Sequence, residues 1–201
     1  MVDEQLRARG VREERVLNAM SRVPREQFVA DQYRGQAYED HPIPIGEKQT
    51  ISQPYIVALM LEAVAVKSSD RVLEIGTGSG YVTALLAELA AEVFSVERHD
   101  ALAKEAGALL DRLGYTNVKV ITSDGTRGVE EHAPYDVVIV SAAAREVPSA
   151  LLAQLAAGGR MIIPVGFDDS QQLQLIEMRD GRPRTSLREL CRFVPLVSGA
   201  E

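Results

Sequence analysis

The chain has a single cysteine, Cys191, so it can form no internal disulfide and offers no cysteine-based zinc site. Its three histidines, His41, His99 and His132, show no ligand spacing, and no metal is expected. No apolar run approaches the roughly 20 residues needed to span a bilayer. The charged start Met1-Val2-Asp3-Glu4-Gln5-Leu6-Arg7-Ala8-Arg9 lacks the apolar core of a signal peptide. A dense Lys/Arg run is also missing, and a net charge of −7 gives no general field that would gather polyanions. These absences lead us to expect a cytoplasmic protein with neither membrane nor nucleic acid as partner, and a monomer is expected.

What is present is ordinary for a globular protein: 46% hydrophobic and 25% charged residues in 201 positions. That length suits one domain over residues 1–201. Within it, residues 1–54 read as N-terminal helices followed by a covering loop, and residues 55–201 as a Rossmann-like core. Residues 3 to about 33 look helical and amphipathic, with Val11, Val16, Ala19 and Met20 near helical spacing and a break at Val23-Pro24. Residues 35–54 carry Pro42, Pro44, Gly46 and Pro54, which read as a long irregular segment, and loops of that length are usually functional.

From Gln53 onward helices and strands alternate. A helix over 53–66 precedes a strand at 71–75; a helix at 80–90 precedes one at 92–96; a helix at about 100–113 stops at Gly114. Further strands are expected at 118–121, 136–140 and 160–163, with a helix near 147–156 between the last two. The strands are short, continuous and β-branched, as in parallel sheets covered on both faces. Gln172-Leu173-Gln174-Leu175-Ile176-Glu177 instead alternates and meets a turn at Asp180-Gly181, which reads as an antiparallel pair closing one edge. The expected fold is α/β: a doubly wound, mostly parallel seven-stranded sheet with an antiparallel C-terminal edge and an N-terminal helical extension.

The first strand runs into Glu74-x-Gly76-x-Gly78-x-Gly80. This is not the dinucleotide spacing, whose third glycine comes one residue later, and no Lys-Ser/Thr pair follows to make a nucleotide phosphate loop. The pattern resembles the first motif of class I methyltransferases, which implies that Glu74 and the turn, here Gly76 to Gly80 with Thr77 and Ser79, bind S-adenosylmethionine, the turn cupping its amino acid part. Glu97 ends the second strand, where a carboxylate can accept from both ribose hydroxyls, and Arg98 follows it. Asp124, with Gly125, follows the third, where a carboxylate can accept from the adenine amino group. Each acid could alternatively be a solvated strand-end carboxylate; their order at successive strand ends favours the cofactor reading.

The fourth strand is followed by Ser141-Ala142-Ala143-Ala144, not by the Asn/Asp-Pro-Pro-aromatic motif of amino-group methylation. Cys191 lies far from where a cytosine-attacking thiol would stand. A carboxylate acceptor needs no general base, because with a pKa near 4 it is already ionised at pH 7.

The segment Pro42 to Pro54, reading P-I-P-I-G-E-K-Q-T-I-S-Q-P, resembles the one preceding the cofactor motif in protein-L-isoaspartate O-methyltransferases. Asp124-Gly125, Pro134-Tyr135-Asp136, Gly158-Gly159-Arg160, Pro164-Val165-Gly166 and Phe193-Val194-Pro195-Leu196 agree in order, so the resemblance runs from about residue 18 to 197. It implies methyl transfer from S-adenosylmethionine to the α-carboxyl of L-isoaspartyl residues in damaged proteins and peptides. It places Gln49, Thr50 and Ile51 at the cofactor and Ser52 at the acceptor carboxylate. It further implies that an extended peptide pairs with Ile45, Gly46, Val194, Pro195 and Leu196. Ser52 could also cap the helix that follows, and Ile45 and Leu196 could be core packing. The alternative functions are a class I methyltransferase acting on another small molecule or RNA, and a fold that has lost its chemistry.

Overall fold

The computed structural model of the chain describes residues 1–167 and 170–199. The N-terminal region is broken more finely than its amphipathic pattern suggests. A π-type turn at Val2–Leu6 and a 3-10 turn at Arg7–Arg9 end at Gly10, whose φ of 100° is left-handed. Helix α1 follows at Glu14–Arg22, and Pro24 then ends helical geometry, leaving 3-10 turns at Arg25–Phe28 and Asp31–Gln36.

Residues 35–54 are not wholly irregular. Strands β1 (Ile43–Gly46) and β2 (Gln49–Ile51) pair antiparallel and bury Ile43 and Ile51 beneath them. Glu47 and Lys48 turn the hairpin at φ of 46° and 56°, a conformation that turns of this kind require of both central residues.

Helix α2 (Pro54–Val64) leads into the main sheet, formed by β3 (Arg71–Ile75), β4 (Glu92–Glu97), β5 (Val118–Thr122), β6 (Tyr135–Val140), β7 (Leu155–Phe167), β8 (Ser170–Arg179) and β9 (Arg182–Cys191). Helices α3 (Tyr81–Leu89), α4 (Asp100–Arg112) and the short α5 (Ser149–Ala153) connect the parallel strands. The order is β5-β4-β3-β6-β7-β8-β9, parallel through β7 and antiparallel across β7-β8 and β8-β9. The expected architecture is therefore present, including the antiparallel edge. Strand β7 begins earlier than expected, at Leu155, with a register shift opposite Gly158-Gly159, which also cuts α5 short.

Two hydrophobic layers cover the sheet. One contains Leu73, Phe94, Tyr135, Leu151 and Met161; the other joins Val72, Leu85, Val93 and Ile162, with Leu61 of α2, to Leu6, Leu17 and Phe28 of the N-terminal region. Polar ties reinforce the second layer. The Glu62 carboxylate of α2 accepts the backbone amides of Arg12 (2.7 Å) and Glu13 (2.8 Å) at the start of α1. Arg15 donates to the carbonyls of Val66 and Leu89, both at 2.6 Å. The N-terminal helices are thus built into the core, and they carry β1 and β2 over the carboxyl ends of β3, β4 and β6.

Candidate active site

The turn after β3 leans on the end of β4: the amides of Gly76 and Thr77 both donate to the Val96 carbonyl, at 2.8 and 3.3 Å. Each glycine has its own reason. Gly76 takes a left-handed φ of 94°, a Cβ on Gly78 would stand 3.2 Å from Ile45, and one on Gly80 would press 3.3 Å from Ala106 of α4. The amide of Gly78 donates to Glu97 Oε2 at 2.9 Å.

The three predicted carboxylates occupy different environments. Glu97 Oε1 accepts the amides of Arg98 (2.8 Å) and His99 (3.0 Å), so together with Gly78 three backbone donors fix this carboxylate at the cleft wall. Among the described residues, one of its roughly four acceptor positions has no donor. Asp124 accepts from the Thr126 amide (2.9 Å) and hydroxyl (2.7 Å) and from the Gly199 amide. Burial pushes the Asp124 carboxyl up, but these hydrogen bonds outweigh it and hold the group below the usual carboxylate range.

Glu74 does not reach the cleft. It is fully buried beneath the turn and accepts from Thr83 and Ser95, both at 2.6 Å, while Ser95 also bonds the Thr77 hydroxyl at 2.6 Å. Its other oxygen has no partner among the described residues, and burial pushes its pKa up to about 7. The acid that opens the motif braces the turn from below.

Two cavities meet above these elements. A cleft of ≈ 900 Å³ is lined by Gln49, Thr50, Ile51 and Ser52 of the hairpin side, by Gly76, Thr77, Gly78 and Ser79 of the turn, and by Glu97, Arg98, His99 and Gly125. Ser141 and Val194 to Val197 complete its wall. A groove of ≈ 1030 Å³ lies next to it, between Arg9, Pro42, Tyr55 and Leu59 on one side and Leu190 to Phe193 on the other. Thr50, Ser52, Ser141 and Val194 belong to both.

Ser52 is the residue whose two readings the geometry separates. The amide at the start of α2 that a cap would satisfy, that of Tyr55, is taken by Asp40 Oδ1 at 3.0 Å. Asp40 also accepts from Gln53 at 2.9 Å and pairs with Arg9. The Ser52 hydroxyl makes no hydrogen bond with any described residue and lines both cavities. Its carbonyl instead accepts from the buried guanidinium of Arg25 at 2.7 Å.

Val194-Pro195-Leu196 runs along the cleft as a strap pinned to Ala143, whose amide donates to the Val194 carbonyl and whose carbonyl accepts the Leu196 amide, both at 2.8 Å. Past it, Gly199 is held between Asp124 and Arg98, whose Nε donates to the Gly199 carbonyl at 3.2 Å.

The remaining predicted residues lie outside both cavities. Gly80 packs α3 on α4; Ile45 lies against Gly78 on the far side of the turn; Gly46 faces Leu102. Asp124 stands beside the cleft while Gly125 lines it. Sequence reasoning missed Ser141, Tyr81 and Val197 in the cleft wall, Gly199 beyond it, and Arg25 behind Ser52. Ser141 ends β6 at the edge where such sheets bind ligands, a signal that was available. Arg25 carries none, since an arginine after proline in a polar stretch reads as surface.

The model of the protein-L-isoaspartate(D-aspartate) O-methyltransferase family matches residues 1–201. A protein-L-isoaspartate O-methyltransferase from Koribacter versatilis (strain Ellin345) is 55% identical over 197 residues, covering 98% of this chain and 89% of the relative. A second relative so described, from Methanoculleus marisnigri, is 53% identical over 198 residues, covering 98% and 90%. Among solved structures, one protein-L-isoaspartate O-methyltransferase superposes with a TM-score of 0.87 at 32% identity; it covers 97% of this chain, and this chain spans 65% of its length. Another, described as a protein-L-isoaspartate O-methyltransferase from Plasmodium falciparum in complex with S-adenosyl-L-homocysteine, gives 0.85 at 28% identity, covering 98% and 96%.

Proposed function

The chain belongs to the protein-L-isoaspartate(D-aspartate) O-methyltransferase family, and from that premise we propose how its cleft and groove divide the reaction. It is a repair enzyme that transfers a methyl group from S-adenosylmethionine to the α-carboxyl of L-isoaspartyl residues in damaged proteins and peptides.

The cleft fits the methyl donor. Its glycine turn brings backbone close without side chains, and Glu97 offers a fixed acceptor where a ribose would lie. Gln49, Thr50, Ile51, Gly76 to Ser79, Glu97, Arg98 and Gly125 hold the donor, with Asp124 at the adenine end. Glu74 and Gly80 contribute by shaping the turn. The peptide lies in the groove and meets the Val194-Pro195-Leu196 strap at Val194, which both cavities share, while Pro195 and Leu196 carry the strap along the cleft; Ile45 and Gly46 support the hairpin side.

When bound, S-adenosylmethionine supplies an electrophilic methyl on a sulfonium. The acceptor carboxylate is ionised at neutral pH, so the chain needs to orient it and exclude water, not remove a proton. One observation carries this reading: Ser52, with a hydroxyl committed to nothing else, stands where cleft and groove join. There it donates to the acceptor carboxylate and holds one oxygen in line. The resulting ester can close to a succinimide as the neighbouring peptide nitrogen displaces methanol, and water can reopen that ring to normal aspartate.

We also propose a cytoplasmic monomer; the charge of −7 supports peptide over nucleic acid as its substrate. No helix among the described residues is long and apolar enough to cross a membrane.

The test uses labelled S-adenosylmethionine and two peptides differing only in L-isoaspartate or L-aspartate at one position. Base-labile label on the isoaspartyl peptide alone is expected; equal labelling, or none, sinks the assignment.

A further inference from the structure

Arg25 is among the largest fully buried side chains of the described residues, with none of its surface exposed. Taking a guanidinium out of water is costly unless close partners compensate. No carboxylate forms an ion pair with it among the described residues, and Arg25 is instead spent on two carbonyls. Nε donates to Ala37 and Nη2 to Ser52, both at 2.7 Å, while the guanidinium carbon sits 4.6 Å from the ring centre of Tyr81. Tyr81 starts α3 directly after the glycine turn and lines the donor cleft.

The arrangement ties three segments at one point: the N-terminal 3-10 region, the residue at the acceptor junction, and the helix behind the turn. Ser52 lies between the end of β2 and the start of α2, and the next residue, Gln53, is held extended by Pro54. Its carbonyl is therefore set by Arg25 and not by a ladder or a helix.

We propose that Arg25 is a positioning residue for methyl transfer: its planar fork fixes the Ser52 backbone so that the hydroxyl presents to the acceptor carboxylate. The inference rests on the reading of Ser52 as the acceptor-orienting group. A lysine cannot reproduce two fixed donors in one plane.

The experiment compares Arg25→Lys, Arg25→Met, Ser52→Ala and the double variant Arg25→Lys/Ser52→Ala in the full chain. Rates on the isoaspartyl peptide are normalised to S-adenosylhomocysteine binding sites counted by calorimetry, so unfolded protein drops out; Arg25→Lys carries the test if Arg25→Met does not fold. Arg25→Lys should lower kcat on the order of 10-fold and Arg25→Met on the order of 10²-fold, with homocysteine-product affinity within about threefold of the parent. The double variant should turn over no more slowly than Ser52→Ala, because the arginine acts through the serine. Arg25 variants that keep kcat while Ser52→Ala loses it overturn the proposal alone, as does full additivity in the double variant. A Ser52→Ala enzyme with unchanged kcat overturns the Ser52 reading and the proposal with it.

Discussion

A carboxylate buried without a cation has few ways to stay in a protein, and Glu74 uses hydroxyl donors to do so. Thr83 and Ser95 each donate to it, yet burial dominates and lifts its pKa from 4.5 to about 7. The sign of the linkage follows. In the unfolded chain the group ionises near 4.5; in the fold it keeps its proton until about 7, so the stability it contributes is whole below 4.5 and is lost as pH rises through 7. A difference of that size corresponds to about 3 kcal/mol. Asp124, held below the usual carboxylate range, acts in the opposite sense at lower pH and does not overlap this window. Glu74→Gln, which imitates the protonated form, should therefore flatten the decline in unfolding free energy between pH 4.5 and 7 relative to the parent. Denaturant titrations at half-unit intervals measure it, and parallel curves for the two proteins would refute it. The motif identified Glu74 as important but not how: spacing in a sequence cannot tell a residue that lines a site from one that braces it. The same limit hid Arg25, whose two acceptors, Ala37 and Ser52, lie 12 and 27 positions away.

Among the elements, legibility tracked burial. Strands β3, β4 and β6 are covered on both faces, so their sequences are short and mostly apolar, with Val72-Leu73, Val93-Phe94 and Val137 to Val140 admitting few other readings. The β1-β2 hairpin was illegible because Pro44 and the left-handed Glu47-Lys48 pair conceal its alternation. The glycine turn was legible, but one of its glycines serves a helix contact. Gly80 has φ of 87° and stands where α3 approaches α4, so an alanine there meets both strain and Ala106 Cβ at 3.3 Å. Left-handed geometry alone costs an L-residue about 1–2 kcal/mol, and crowding adds to it. We expect Gly80→Ala to lower unfolding free energy by about 2–3 kcal/mol, read from urea midpoints at constant m. A loss below about 0.5 kcal/mol would show that the helices yield at this contact.

At the scale of the whole molecule, the decisive feature is that the N-terminal helices share a core with the sheet. Leu6, Leu17 and Phe28 belong to one apolar cluster with Leu85, Val93 and Ile162, so residues 1–54 have no separate interior to melt. One unfolding transition is expected. The donor cleft draws on the hairpin, three strand ends and the 194–197 strap at once, and ligand there should stabilise all of them together. A ligand at 100 times its Kd adds about 2.7 kcal/mol to a two-state fold. For a chain of this length that is a rise of about 5–10 °C in Tm. S-adenosylhomocysteine should thus move a single calorimetric peak upward without splitting it. Asp124 joins that cleft to the tail by accepting the Gly199 amide, and Arg98 holds the same residue from the other side. Asp124→Ala should therefore shrink the ligand-induced rise at a fixed concentration by weakening product binding, while kcat at saturating donor changes far less. Two resolved peaks would divide the N-terminal segment from the core, and an undiminished rise in Asp124→Ala would remove that carboxylate from the donor site.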